Sequence, residues 1–212
     1  MNAIQIGRKR LSEIVWGIII EKTHDFSADR VYDMVQGQQL LRAKADYNTG
    51  CVPYEDALDL CKIVFFFRPK VIAEVGTFIG VSTRVMHWAM PNDGQIYTCD
   101  MSNDIDLGLN QVTQYPKKPS HEMFADLESK GVKVDMVYLD GRLSEKDIAP
   151  LMSIIHDKTI FVLDDFEGTE KGVANALILE GGNIALVYPR EGNKTAIVIP
   201  MNMLQLIHQE DA

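Results

Sequence analysis

One stretch limits the folds open to this chain more than any other: Ile72-Ala73-Glu74-Val75-Gly76-Thr77-Phe78-Ile79-Gly80-Val81-Ser82, a short apolar run that passes through two glycines into a helical pattern. A short, continuously apolar strand that feeds a helix through a glycine turn begins a parallel βαβ unit. The alternation then continues down the chain. It predicts strands at Val71–Val75, Gln95–Cys99, Val134–Leu139 and Thr159–Leu163, and helices at Val81–Met90, Ser120–Lys130, Ser144–His156 and Thr169–Leu179. The end differs: Asn183–Tyr188 and Thr195–Ile199 are β-rich runs joined by Pro189-Arg190-Glu191-Gly192-Asn193-Lys194, which is hairpin chemistry. The expected fold is α/β, a doubly wound, mostly parallel sheet closed by a C-terminal antiparallel strand pair.

Residues 1 to about 48 contain no proline and read as helices around Leu11–Lys22 and Ala28–Ala45, a helical cap that covers the pocket or forms a homodimer contact. Residues 49–212 form the binding domain, and Asn48–Tyr54 is the expected hinge. Pro53-Tyr54-Glu55-Asp56 opens a further helix, with acids in the first turn where the helix dipole favours them. Its run Ile63-Val64-Phe65-Phe66-Phe67 looks like a strand, yet it continues the helical spacing of Ala57, Leu58, Leu60 and Cys61.

At 212 residues, with 46% hydrophobic and 24% charged, the chain suits one globular domain of generous size. Lys and Arg number 21 against 30 acids, a net charge of −9, which argues against nucleic acid or an anionic membrane surface and favours a small-molecule partner. Cys51, Cys61 and Cys99 have no C-x-x-C spacing, so neither a disulfide framework nor a zinc site is suggested, and a reducing, cytoplasmic compartment is expected. The apolar run Trp16–Ile20 is too short to span a bilayer.

The glycine turn points to a ligand at the carboxyl ends of the strands, since glycine admits positive φ and close approach. Asp100 ends the next strand, where a carboxylate can accept both hydroxyl hydrogens of a ribose. A nicotinamide site would want G-x-G-x-x-G against a pyrophosphate. Here Glu74 precedes the turn, a charge that repels pyrophosphate and suits a ligand with an ammonium group, such as S-adenosylmethionine.

On these residues the chain resembles the class I S-adenosylmethionine-dependent methyltransferases, and within them the small metal-dependent O-methyltransferases of the catechol type. The resemblance covers about residues 50–200 and implies a seven-stranded sheet. It implies that Glu74, Gly76, Thr77, Phe78, Gly80 and Ser82 hold the methionine end of the cofactor, that Asp100 holds the ribose, and that Met101 lies beside the adenine. The catechol type has a Ser-Gln pair touching adenine at the start of the helix after its fourth strand. Ser120-His121 takes that place here, with His121 departing from the pair.

Asp140 closes the strand Val134–Leu139, and Asp164 and Asp165 close Thr159–Leu163. Three carboxylates at neighbouring strand ends repel one another, which a hard divalent cation such as magnesium would relieve. The resemblance likewise implies Asp140, Asp164 and Asp165 as metal ligands, Asp165 standing where the family has Asn. The catechol type's lysine base falls on Leu143 here, so the base does not carry over. That leaves Lys146, or a substrate hydroxyl acidified by the metal with Asp140 beside it. The expected reaction is methyl transfer to a hydroxyl of a small molecule: a catechol, a sugar or another polyol. The alternatives are a metal-independent N- or O-methyltransferase and a non-catalytic S-adenosylmethionine-binding protein.

Overall fold

The structure, a computed structural model, describes residues 3–24, 27–37, 52–102, 105–165, 184–189 and 195–204. The chain runs α1 (Ala3–Lys22), α2 (Ala28–Gly37), α3 (Tyr54–Phe67), β1 (Val71–Val75), α4 (Val81–Ala89), β2 (Gln95–Asp100), β3 (Val112–Pro116), α5 (Ser120–Ser129), β4 (Met136–Leu139), α6 (Glu145–Ile154), β5 (Ile160–Leu163), β6 (Ile184–Val187) and β7 (Ala196–Pro200). The strands form a seven-stranded sheet in the order β3-β2-β1-β4-β5-β7-β6. β3 to β5 pair in parallel, while β7 lies antiparallel between β5 and β6. This is the expected mostly parallel sheet with its antiparallel closing pair.

Alternation along the strands divides the core into two layers. Ile72, Ile96, Tyr138, Val162 and Ile197 face one side, where they pack with Leu60 and Val64 of α3, Val85 and Met86 of α4, Val15, Trp16 and Ile19 of α1, and Val31 of α2. Ala73, Val75, Val137, Leu139 and Leu163 face the other, against Met123, Phe124 and Leu127 of α5 and Leu151 and Ile154 of α6. The N-terminal helices therefore share the core of the sheet, and the Tyr188 amide donates to Ser12 Oγ of α1 at 3.2 Å. The run ending in Phe67 is helical, stopped by Arg68 in a left-handed conformation.

Two features of the order differ from expectation, and three expected ones lie outside the described residues. β3 was not expected from its sequence, and α5 follows this third strand, not the fourth. The helix predicted at Thr169–Leu179, the end of the one predicted to Ala45, and most of the Asn48–Tyr54 hinge lie outside the described residues.

Candidate active site at the strand ends

Strand order reverses at β1: β2 and β3 lie on one side, β4 and β5 on the other. Such a reversal opens a crevice at the carboxyl ends of the strands, where α/β proteins bind ligands. Two glycines let the crevice close at its base. Gly76 has φ +105°, and a Cβ there would lie 3.0 Å from the amide nitrogen of Gly141 and 3.1 Å from the carbonyl carbon of Asp140. A Cβ on Gly141 would lie 2.7 Å from Val75 Cγ1. The ends of β1 and β4 thus approach closely because neither turn carries a side chain, and the amides of Asp140 and Gly141 both donate to the Val75 carbonyl, at 2.9 and 2.7 Å. Gly80 (φ +78°) serves a different contact, since its Cβ would strike Leu107 Cδ2 at 2.3 Å.

Beneath the turn lies a buried polar network. Glu74 is fully buried, accepting from Ser82 Oγ at 2.5 Å and from Thr83 Oγ1 at 2.6 Å. Thr77 and Thr98 share a hydroxyl hydrogen bond at 2.5 Å. Burial raises the Glu74 pKa above the ordinary carboxylate range, while the hydroxyls of Ser82, Thr83 and Thr98 pull it back down and the Asp100 charge adds to the rise. The side chain of Glu74 ties β1 to the first turn of α4. Thr83, Thr98 and Gly141 were not singled out from sequence, although the pair Ser82-Thr83 opening a helix after an acid-bearing strand is a usable signal.

Asp100, half-buried, reaches back to the turn: its Oδ2 accepts from the Phe78 amide at 2.6 Å, and its Oδ1 from the amide and hydroxyl of Ser102 at 2.7 and 2.6 Å. Phe78 sits at φ +44°, an unusual value for an aromatic residue, held by that bond. Met101 beside it is 69% exposed, a flat apolar surface at the mouth. Ser120 is buried and donates to Asp147 Oδ1 at 2.5 Å, and Asp147 in turn accepts from Ser144 at the start of α6. Ser120 thus joins two helix starts, with His121 half-buried next to it.

On the far side of the crevice, β4 and β5 pair with Leu139 opposite Leu163, so Asp140 and Asp164 follow at adjacent strand ends. The Asp164 amide donates to the Leu139 carbonyl at 2.9 Å, and its carboxylate accepts from Thr195 Oγ1 of the closing strand pair at 3.3 Å. The buried Tyr138 phenol has its pKa pushed well up, first by burial, then by the charges of Asp164 and Asp140. The expected three-acid metal site is not assembled: among the described residues no group of three His, Cys, Asp or Glu side chains stands where it could hold an ion. Asp165 lies beyond the end of β5 in a left-handed conformation (φ +49°). Lys146 is exposed on the first turn of α6.

The family model for O-methyltransferases matches residues 25–137, just over half of the chain. The chain belongs to the O-methyltransferase family. Its activity is accordingly S-adenosylmethionine-dependent methyl transfer. The matched part includes the glycine turn and Asp100 and stops short of Asp140. No curated protein matches the sequence. Among solved structures, a methyltransferase from Geobacter sulfurreducens is similar at TM-score 0.59 and 10% identity, over 79% of this chain and 88% of that one. A candidate O-methyltransferase from Klebsiella pneumoniae aligns at 0.58 and 16% identity, over 90% of this chain and 98% of that one. The O-methyltransferase TomG from Streptomyces achromogenes, involved in tomaymycin synthesis and solved in complex with SAM, aligns at 0.56 and 12% identity, over 91% and 98%. These likenesses establish a shared fold. Among the described residues no helix is long and apolar enough to cross a membrane.

Proposed function

We propose that this O-methyltransferase family member moves the methyl group of S-adenosylmethionine to a hydroxyl of a small molecule, a catechol, sugar or other polyol, in the crevice between the ends of β1 and β4. The supporting observation is the sign of the rim. Asp100, Asp140 and Asp164 bring carboxylates to it, and the backbone amides of Gly76 and Thr77 are already spent on the Cys99 carbonyl. A rim of acceptors suits a cofactor with a sulfonium and an ammonium group, and suits a pyrophosphate poorly. Asp100 would accept the ribose hydroxyls, exposed Met101 would pack on the adenine, and the Gly76–Gly80 turn would hold the methionine end. Bound there, the cofactor supplies an electrophilic methyl group.

The protein's remaining task is to align the acceptor oxygen in line with that methyl group and to exclude water. Asp140 and Asp164 are the carboxylates placed to orient the hydroxyl and receive its proton. A divalent cation, if one joins Asp140 and Asp164, would orient the same hydroxyl and lower its pKa.

Calorimetric titration of S-adenosylmethionine tests the cofactor half. Asp100→Ala should weaken binding by about 1–3 kcal/mol through loss of charge-assisted hydrogen bonds; unchanged affinity would put the ribose elsewhere. A methyl-transfer screen over phenols and sugars, run with magnesium and with excess chelator, tests the acceptor half. Turnover that survives chelation supports carboxylate-assisted transfer, whereas turnover that needs magnesium would assign Asp140 and Asp164 to a cation.

A further inference from the structure

The opposite end of the sheet holds a feature that methyl transfer does not use. A cavity of about 410 Å³ lies between α2, the C-terminal end of α4 and the turn leading into β2. His87, Trp88 and Gln111 belong to the segments that lead into the amino ends of β2 and β3, whereas Arg84 stands one helical turn from Gly80, whose carbonyl accepts from the Arg84 amide at 3.0 Å. The cavity is lined by Arg30, Arg84, His87, Trp88 and Gln111, with Met34 and Met90 among its apolar walls.

Charge makes this cavity unusual. The chain as a whole carries −9, yet among the described residues two guanidiniums line the cavity and no carboxylate does. The nearby Asp93 is held outside it by Lys70 at 2.6 Å. Arg84 spends one nitrogen on the Leu107 carbonyl at 3.1 Å. Its Nε is the one buried side-chain nitrogen or oxygen among the described residues without a hydrogen-bond partner. Native proteins rarely leave such a donor unmatched, because an unmade buried hydrogen bond is costly.

Shape adds a second requirement. The Arg30 guanidinium lies over the Trp88 ring, 4.8 Å from its centroid, a cation–π pair on one wall of the cavity. Met34 and Met90, which also line the cavity, are polarisable and adapt to ring edges. Burial and the Arg84 charge lower the His87 pKa, so at neutral pH its ring is an uncharged hydrogen-bonding group. A bare inorganic anion would use the charges and leave the apolar walls unfilled, and a neutral ring would do the reverse.

We propose that this cavity is a second ligand site, separate from the cofactor crevice, for a small aromatic carboxylate whose ring stacks along the Arg30–Trp88 wall and whose carboxylate is taken by Arg84 and Arg30. Such a ligand bridges α2 to α4, tying the N-terminal helices to the sheet. The volume falls within the range of small-molecule sites and suits one or two fused rings.

The test uses the full chain saturated with S-adenosylhomocysteine, so that the crevice is blocked, and calorimetric titration with benzoate, 1-naphthoate, benzamide and inorganic phosphate. Benzoate and 1-naphthoate should bind saturably, the larger ring more tightly, with benzamide and phosphate at least about tenfold weaker for want of the charge or of the ring. Arg30→Gln, on the exposed side of α2, and Arg84→Gln should each weaken naphthoate binding about tenfold or more. Arg30→Gln decides the matter if loss of the Leu107 contact unsettles Arg84→Gln. Absence of saturable binding, binding indifferent to Arg30→Gln, equal binding of phosphate, or binding seen only when S-adenosylhomocysteine is left out would each overturn the proposal.

Discussion

The two sides of the crevice are built differently. On the β1–β2 side, side chains answer one another: Glu74 takes the hydroxyls of Ser82 and Thr83, Thr77 pairs with Thr98, and Asp100 takes the Phe78 amide and Ser102. On the β4–β5 side the backbone ladder fixes Asp140 and Asp164, while Thr195 at 3.3 Å is a long contact for the Asp164 carboxylate. One side is a finished scaffold whose polar groups are satisfied before any ligand arrives, and a scaffold of that kind is preorganised. The other brings to the rim the carboxylates to which the proposed methyl transfer assigns the acceptor hydroxyl. Apart from Asp100, which is also assigned to the cofactor, substitutions on the first side should therefore be felt as lost stability, and those on the second as lost turnover.

The largest effect is expected at the seam between the sides. Gly76→Val places a branched side chain at φ +105°, with its Cβ about 3 Å from the backbone of Asp140 and Gly141. Backbone strain and overpacking together should cost on the order of 4 kcal/mol. Denaturant unfolding would register this as a large drop in midpoint, accompanied by loss of cofactor binding. A variant of normal stability would mean that β1 and β4 can part easily and that the seam is no constraint.

Next comes Glu74. Glu74→Ala leaves two buried hydroxyls without their acceptor, at a cost of about 3 kcal/mol. The carboxylate also leaves a signature in pH. Its pKa in the folded chain lies above the ordinary 4.5, so the folded state holds the proton more tightly than the unfolded state. The stability this group contributes is full below pH 4.5 and is lost as pH rises through the raised value. Glu74→Gln, which cannot titrate, should flatten that decline when urea midpoints are compared between acid and neutral pH. A decline of the same steepness in the variant would assign it to another group.

How much of this could be read in the sequence follows the same division. The scaffold side is local: Ser82 and Thr83 lie eight and nine residues from Glu74, and a strand, a glycine turn and a helix read in one glance. Asp100 was legible because β2 is a plain apolar strand that ends on an acid. β3 was not, since Val112-Thr113-Gln114-Tyr115-Pro116 is a polar edge strand, partly exposed along its length, and lacks the apolar run that marks a buried one. Gly141 escaped notice because its reason is Val75, brought near by sheet pairing between residues far apart in the chain. Whether the three acids meet was likewise out of the sequence's reach: adjacency of strand ends follows from topology, whereas convergence of side chains depends on dihedrals such as that of Asp165.

The smallest stability effect, and the sharpest test of the division, belongs to Asp164. Asp164→Asn is nearly isosteric, keeps an oxygen for Thr195, and leaves the amide bond to Leu139 untouched. The side chain is only half-buried, so the change should alter stability by no more than about 0.5 kcal/mol. It does remove an anionic proton acceptor from the rim, so methyl transfer should fall by at least about a hundredfold, the usual contribution of a general base, while S-adenosylmethionine affinity stays near that of the parent. Asp140→Asn serves as the companion, with the same expectation for turnover. If Asp164→Asn instead unfolded the protein as readily as Glu74→Ala and left kcat unchanged in the surviving fraction, the acid would be part of the scaffold. The two sides of the crevice would then be built alike, and the base would have to be sought elsewhere on the rim.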